Sequence, residues 1–167
     1  MKIQLRELST NDKEDIFQMI REIGPGENGY INSEYEMDYR DFPSYLKGRI
    51  KISRGIDLGP QYVPQTMYWL LIDERPVGIG KLRHYLNDDL RRVGGHIGYT
   101  IRPSERGKGY GTILLRELIK EAKAKGIDEL LLTCEERNIP SKRVIEGNNG
   151  ELFDILDGKC RYWIKNY

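Results

Sequence analysis

The run Arg106-Gly107-Lys108-Gly109-Tyr110-Gly111 separates a strand-like stretch from an amphipathic helix-like one, and it constrains this chain more than any other segment. Glycine lets the backbone take positive φ and approach a ligand closely. The first amides of a helix have no partner inside it, so they point outward as donors, and the helix dipole adds positive character at the same end. Such an end suits a pyrophosphate, with Arg106 and Lys108 supplying countercharge. A glycine-rich strand-to-helix turn with no ligand has the same composition. Two other phosphate loops fail on spacing: a Walker loop needs Ser or Thr after Gly-Lys, and here Gly109 follows; a dinucleotide fingerprint needs a third glycine at position 112, which is Thr.

The elements around the loop also argue against a doubly wound nucleotide fold, which would continue in βα units. Ile3 to Leu8 alternate as a first strand, and Asn11 to Glu14 has the acceptor-x-x-Glu form of a helix start. Ile16, Met19, Ile20 and Ile23 then recur at helical spacing until Gly24-Pro25-Gly26. A second helix is expected around 39–54. Strands are expected over 66–72 and 77–85 as a hairpin, and from about 93 to 101 after a turn at 87–89. A long helix follows the glycine loop and ends at Gly126. A strand over 129–134, a short helix over 140–146, and strands over 151–156 and 160–165 complete the order β-α-α-β-β-β-α-β-α-β-β.

With 167 residues, the chain matches one domain, able to bury about 68–70% of its unfolded surface without disulfides or metal. Its 27 basic and 26 acidic side chains leave a net charge of +1, which argues against a nucleic-acid backbone or an anionic membrane as main partner. No apolar run approaches the ~20 residues of a membrane span. The cysteines Cys134 and Cys160 lie far apart, without zinc or redox spacing, so no metal is expected and a reducing, cytoplasmic setting is the default.

The spacing Arg106-x-x-Gly109-x-Gly111 between a strand and an amphipathic helix, followed by Asn138-x-x-Ser141 and Asn149-Gly150, resembles the acetyl-coenzyme A core of the GNAT superfamily of N-acetyltransferases. The stretch Ile101-Arg102-Pro103-Ser104-Glu105-Arg106 with Gly107-Lys108-Gly109-Tyr110 is similar to a bacterial branch of predicted acetyltransferases. The resemblance implies an α/β (α+β) single-domain acyl-CoA N-acyltransferase fold, a mixed, mostly antiparallel sheet of about seven strands with about four helices. The cofactor core would lie at about 93–150 and acceptor-side elements at about 10–60. It implies acetyl-CoA as co-substrate, with amides of Arg106, Gly107, Lys108, Gly109, Tyr110 and Gly111 on the pyrophosphate. The strand end Tyr99, Thr100, Ile101 and Arg102 would bind the pantetheine arm through its backbone, and Asn138 would contact the same arm. The activity implied is N-acetyl transfer (EC 2.3.1.-) to a small-molecule or peptide amine by direct attack on the thioester. A non-catalytic coenzyme A binding or regulatory module of the same fold is the alternative. Many relatives dimerise, though no residue here demonstrates a homodimer.

The chemistry sets further demands. A lysine-like amine of pKa ~10.4 costs about 4.6 kcal/mol to deprotonate at pH 7, an α-amine near ~7.8 about 1 kcal/mol, so a base matters chiefly for the first. His96 lies ten residues before Arg106, where relatives carry a glutamate proposed as base; it is either the base or a structural hydrogen-bonding histidine. If the hairpin centres on residue 90, His84 faces His96 across the ladder, and a slip by one residue puts them on opposite faces. Relatives place a tyrosine acid seven residues after the asparagine, and here that position is Ile145. Ser141, on the same short helix, is the candidate to hydrogen-bond the leaving thiolate or the pantetheine, or it is simply a helix-start residue. Cys134 reads as core filling. The segment 30–45, with Tyr30, Tyr35, Tyr39 and Tyr45 among Glu34, Glu36, Asp38 and Asp41, suits a cationic amine or packs as an ordinary loop.

Overall fold

The computed structural model describes residues 1–167. The elements are β1 (Ile3–Glu7), α1 (Glu14–Ile23), α2 (Phe42–Ser53), β2 (Gln65–Ile72), β3 (Arg75–Arg83), α3 (Asp88–Arg92), β4 (Ile97–Ile101), α4 (Tyr110–Ala124), β5 (Glu129–Glu135), α5 (Ile139–Gly147), β6 (Glu151–Leu156) and β7 (Lys159–Lys165). Short 3-10 turns precede α2 and follow β4. The strands form two sheets, ordered β1-β2-β3-β4 and β5-β7-β6, and every ladder is antiparallel. The seven strands match the expected order; the single sheet is divided in two, and α3 makes a fifth helix.

Strand β2 shows why the fold has two layers of helix. Its residues Thr66 to Ile72 are all buried, which requires cover on both faces. Tyr68, Leu70 and Ile72 pack with Leu114, Leu115 and Leu118 of α4 and with Leu130, Leu132 and Tyr162 of the second sheet. Met67, Trp69 and Leu71 alternate to the other side, against Ile16, Met19 and Ile20 of α1 and Phe42 and Leu46 of α2. Trp69 also donates from Nε1 to Asp12 Oδ2 at 2.7 Å, which satisfies its one polar atom in the core.

Two expectations between β3 and β4 need correction. Residues 88–92 form α3 rather than a bare turn: the Oδ1 of the capping Asn87 accepts from the Leu90 amide at 2.9 Å, acidic Asp88 and Asp89 open the helix, and Arg91 and Arg92 close it. Strand β4 therefore starts at Ile97, not near Val93. The register sets Leu82 opposite Ile97, one residue away from a hairpin centred on 90, so His84 and His96 lie on opposite faces. His84 Nε2 instead lies 2.8 Å from Thr66 Oγ1.

The two sheets meet where β4 begins. The His96 amide donates to the Leu131 carbonyl at 2.8 Å, and the Leu131 amide donates to His96 Nδ1 at 3.0 Å. The Gly94 amide donates to Thr133 Oγ1 at 2.8 Å. A Cβ on Gly95 would stand 2.2 Å from the Leu131 carbonyl oxygen, and φ there is +61°, so only glycine permits this approach. Past this joint β4 and β5 form no ladder, and a cleft opens between them.

Candidate active site

The cleft holds about 600 Å³. One wall is β4, through Ile97 to Ile101; the other is Thr133, Cys134 and Glu135 of β5 with Asn138 and Ser141 of α5. The glycine loop closes one end, and Tyr30, Ile31, Lys81 and Arg83 line the other.

At the loop end, Gly107 and Gly109 take φ of +78° and +81°, and Gly109 precedes α4 in the left-handed region without any side-chain cap. The amides of Gly107, Lys108, Gly109, Tyr110, Gly111 and Thr112 make no hydrogen bond within the chain; the first helical bond is Ile113 N–H to the Gly109 carbonyl at 3.4 Å. This is a run of bare donors at a helix start, open to the cleft, which suits a diphosphate. Arg106 lines the cleft, its Nε donating to the Ile101 carbonyl at 2.9 Å and its Nη1 paired with Glu27. Lys108 is different. Its ammonium pairs with Glu105 at 2.8 Å and its side chain does not line the cleft, so only its amide belongs to the cradle.

The strand wall offers fewer groups than expected. Arg83 N–H bonds the His96 carbonyl, and Arg102 N–H bonds the Val77 carbonyl. The two-residue alternation between these ends places the backbone of Gly98 and Thr100 in the ladder with β3 and turns that of Ile97, Tyr99 and Ile101 toward the cleft. Arg102 is the correction here: its carbonyl accepts from the Glu105 amide, its guanidinium bonds Pro76 and Glu22, and it lies outside the cleft lining. Asn138 caps α5, its Oδ1 accepting from the Ser141 amide at 3.2 Å, while its Nδ2 makes no bond within the chain and the residue lines the cleft.

The acetyltransferase (GNAT) family matches residues 30–149 in sequence. The chain belongs to the GNAT acetyltransferase family. No curated protein matches this family member in sequence. Among solved structures, the fold is similar to the N-acetyltransferase PseH of Campylobacter jejuni in complex with acetyl coenzyme A, at 16% identity and TM-score 0.65, covering 99% of this chain and 100% of that one. It is also similar to RimL, a ribosomal-protein α-N-acetyltransferase in complex with coenzyme A, at 17% identity, TM-score 0.71, and coverage of 99% and 94%. The N-acetyltransferase PaiA of Thermoplasma acidophilum, in complex with coenzyme A, shares 21% identity at TM-score 0.63, with 99% of each chain covered.

In this GNAT chain, His96 occupies the joint rather than the cleft. It is 6% exposed, it is absent from the cleft lining, and its Nδ1 is taken by the Leu131 amide. Burial, reinforced by Arg91 and Arg83, lowers its pKa to about 4. These facts make His96 a structural link at the joint and speak against the base.

Ser141 does face the cleft, and its Oγ lies 2.7 Å from the Tyr99 hydroxyl. Burial raises the Tyr99 pKa to about 12, so the phenol keeps its proton at all ordinary pH. Ile145 is fully buried in the core. Cys134 fills the core as expected and also borders the cleft; burial raises its thiol to about 11, so it stays protonated at neutral pH.

The segment expected to meet an amine differs most from expectation. Of the segment 30–45 only Tyr30 and Ile31 reach the cleft; Tyr39 and Tyr45 stack on Phe42, and Tyr39 meets Phe17 edge to face. The residues that do line it, Lys81 and Arg83, are cationic. Ile79, Lys81 and Arg83 share one face of β3, and because α1 and α2 cover that face, these charges are drawn inward. No cluster of three or more His, Cys, Asp or Glu side chains is placed to hold a metal, and no helix is long and apolar enough to cross a membrane.

Proposed function

We propose that this chain is an acetyl-CoA-dependent N-acetyltransferase that acetylates a primary amine of a small molecule or peptide by direct attack on the thioester. The observation that carries this reading is the run of unbonded amides from Gly107 to Thr112, opening α4 into a cleft between two parted strands. The donor set fits the co-substrate: bare amides and Arg106 for the diphosphate, the inward backbone of Tyr99 and Ile101 with Asn138 for the pantetheine amides. The PseH, RimL and PaiA structures that share the fold contain acetyl-CoA or coenzyme A, which supports the same assignment.

Acetyl-CoA supplies an activated thioester carbonyl; the protein supplies position and hydrogen-bond donors. In this reading the amine enters from the Tyr30 side and forms the new C–N bond while the C–S bond breaks. Ser141 and Tyr99 together hydrogen-bond the departing sulfur, with Tyr99 holding a proton that its high pKa keeps in place. No histidine lines the cleft, so an acceptor amine of low pKa arrives already neutral and solvent takes the proton that the nitrogen sheds as the amide forms.

The test is a thermal shift with acetyl-CoA, NAD and ATP, followed by thiol release over an amine panel. A rise in Tm with acetyl-CoA alone and amine-dependent thiol release support the reading. Absence of any acetyl-CoA shift at millimolar ligand overturns it, whereas a shift without turnover on any amine reduces the chain to a coenzyme A binding module.

A further inference from the structure

Beside Gly98, on the α1–α2 face of the sheet, Lys81 and Arg83 put two cations into the cleft wall, and neither takes part in a salt bridge. Lys81 is 9% exposed; its Nζ donates to the Ile31 carbonyl at 2.7 Å and stands 4.3 Å from the centre of the Tyr30 ring. Arg83 spends only Nη1, on the carbonyls of Gly94 and Gly95 at 3.1 Å each, so Nε and Nη2 have no partner in the chain. The Tyr30 hydroxyl is buried and unpartnered. A Cβ on Gly98 would stand 3.9 Å from both Arg83 Nη2 and the Tyr30 ring, so these groups converge beside a residue with no side chain.

Buried cations without a carboxylate are costly, and so is a buried hydroxyl without a bond. Burial and the charges of Arg49 and Arg83 push the Lys81 ammonium down to about 7, a strain that a nearby anion relieves. The acidic side chain that acts on Lys81, Glu34, is already drawn to Arg49 at 4.0 Å. The coenzyme's phosphates do not fill this need, because their cradle follows β4, whereas Gly98 stands near its start, three residues or ~10 Å of strand before Ile101.

Resting on the acetyltransferase reading above, we propose that Lys81, Arg83 and the Tyr30 hydroxyl form an oxyanion subsite that holds a carboxylate carried by the acceptor amine. The acceptor is then a small amino acid or a similar amine with its own carboxylate, gripped at the anion while its nitrogen faces the thioester. Arg83 suits this task through its free Nε and Nη2, which present a planar pair of donors.

The experiment compares glycine with glycinamide and β-alanine with β-alaninamide under saturating acetyl-CoA, scored as kcat/KM per free amine. Wild-type protein favours each acid roughly tenfold or more over its amide. Tyr30→Phe, which removes only the hydroxyl, lowers the ratio, and Lys81→Gln and Arg83→Lys erase it. 2-Aminoethylphosphonate is the third arm: a preference for it over β-alanine overturns the carboxylate assignment. Independently of turnover, millimolar inorganic phosphate with saturating coenzyme A raises the Tm of wild type and not of Lys81→Gln. Equal rates for acid and amide without a phosphate effect on Tm overturn the subsite. The acetyltransferase reading fails separately, by absence of any Tm response to acetyl-CoA.

Discussion

The hydroxyl of Tyr99 on β4 and Oγ of Ser141 on α5 lie 2.7 Å apart across the cleft between the two sheets. The pair joins walls whose strands share no ladder at this depth, and it sits between the glycine loop and the end of the cleft lined by Lys81 and Arg83.

From that relationship, Tyr99→Phe lowers kcat by ~10- to 100-fold while leaving acetyl-CoA affinity within a few-fold, because a donor to a developing negative charge is lost. Ser141→Ala gives a smaller loss, since Tyr99 keeps its own hydroxyl. Single-turnover thiol release with parallel coenzyme titration checks both; an unchanged kcat in Tyr99→Phe removes the pair from the chemistry.

Arg106 and Lys108 look alike in sequence and part company in the fold. Arg106 borders the cleft, whereas the Lys108 ammonium is held by Glu105. Arg106→Ala therefore weakens coenzyme binding about tenfold, the worth of one charge-assisted bond, and Lys108→Ala weakens it far less. Isothermal titration with coenzyme A at two salt concentrations separates them, because only the Arg106 contribution fades with added salt.

His96 ties stability to pH. Its folded pKa lies near 4 and the ordinary value near 6.5, so the unfolded chain binds the proton more readily between them. Its contribution is fully present above pH 6.5 and is lost as pH falls toward 4. His84, also shifted downward by burial, acts in the same direction. Thermal melts from pH 7.5 to 4 of wild type and His96→Gln check this: the variant starts less stable, having lost the bond to the Leu131 amide, and declines less steeply over that window.

What could be read from the chain, and what could not, divides along the distance between partners. The glycine loop was legible because Gly107, Gly109 and the start of α4 define a local geometry within a few residues. The element order was legible for the same reason, through local periodicity. The role of His96 was not, because its partner Leu131 is 35 residues away and the joint depends on Gly95 admitting a carbonyl. Nothing in the sequence singled out Lys81 and Arg83, since alternation gives a strand two faces without saying that helices cover both. Helix α3 was within reach: Asn87 before Asp88-Asp89 and Arg91-Arg92 is a capped start and a basic end, masked by its length of five residues.

Asn138 carries two roles that substitution can divide. Its Oδ1 caps α5 at the Ser141 amide, and its Nδ2, without a partner in the chain, is left for the pantetheine arm. Asn138→Ala removes both, costing about 1 kcal/mol of stability, or about 2–4 °C in Tm for a domain of this size, together with coenzyme affinity. Asn138→Asp retains an oxygen acceptor at the helix start, where a carboxylate is also favoured by the dipole, but it has no N–H to offer. Its Tm therefore stays near wild type while KM for acetyl-CoA rises. Melting curves with and without coenzyme on both variants decide the matter. Equal losses of Tm and of affinity in the two would mean that the cap alone shapes the site and that Nδ2 does not touch the co-substrate.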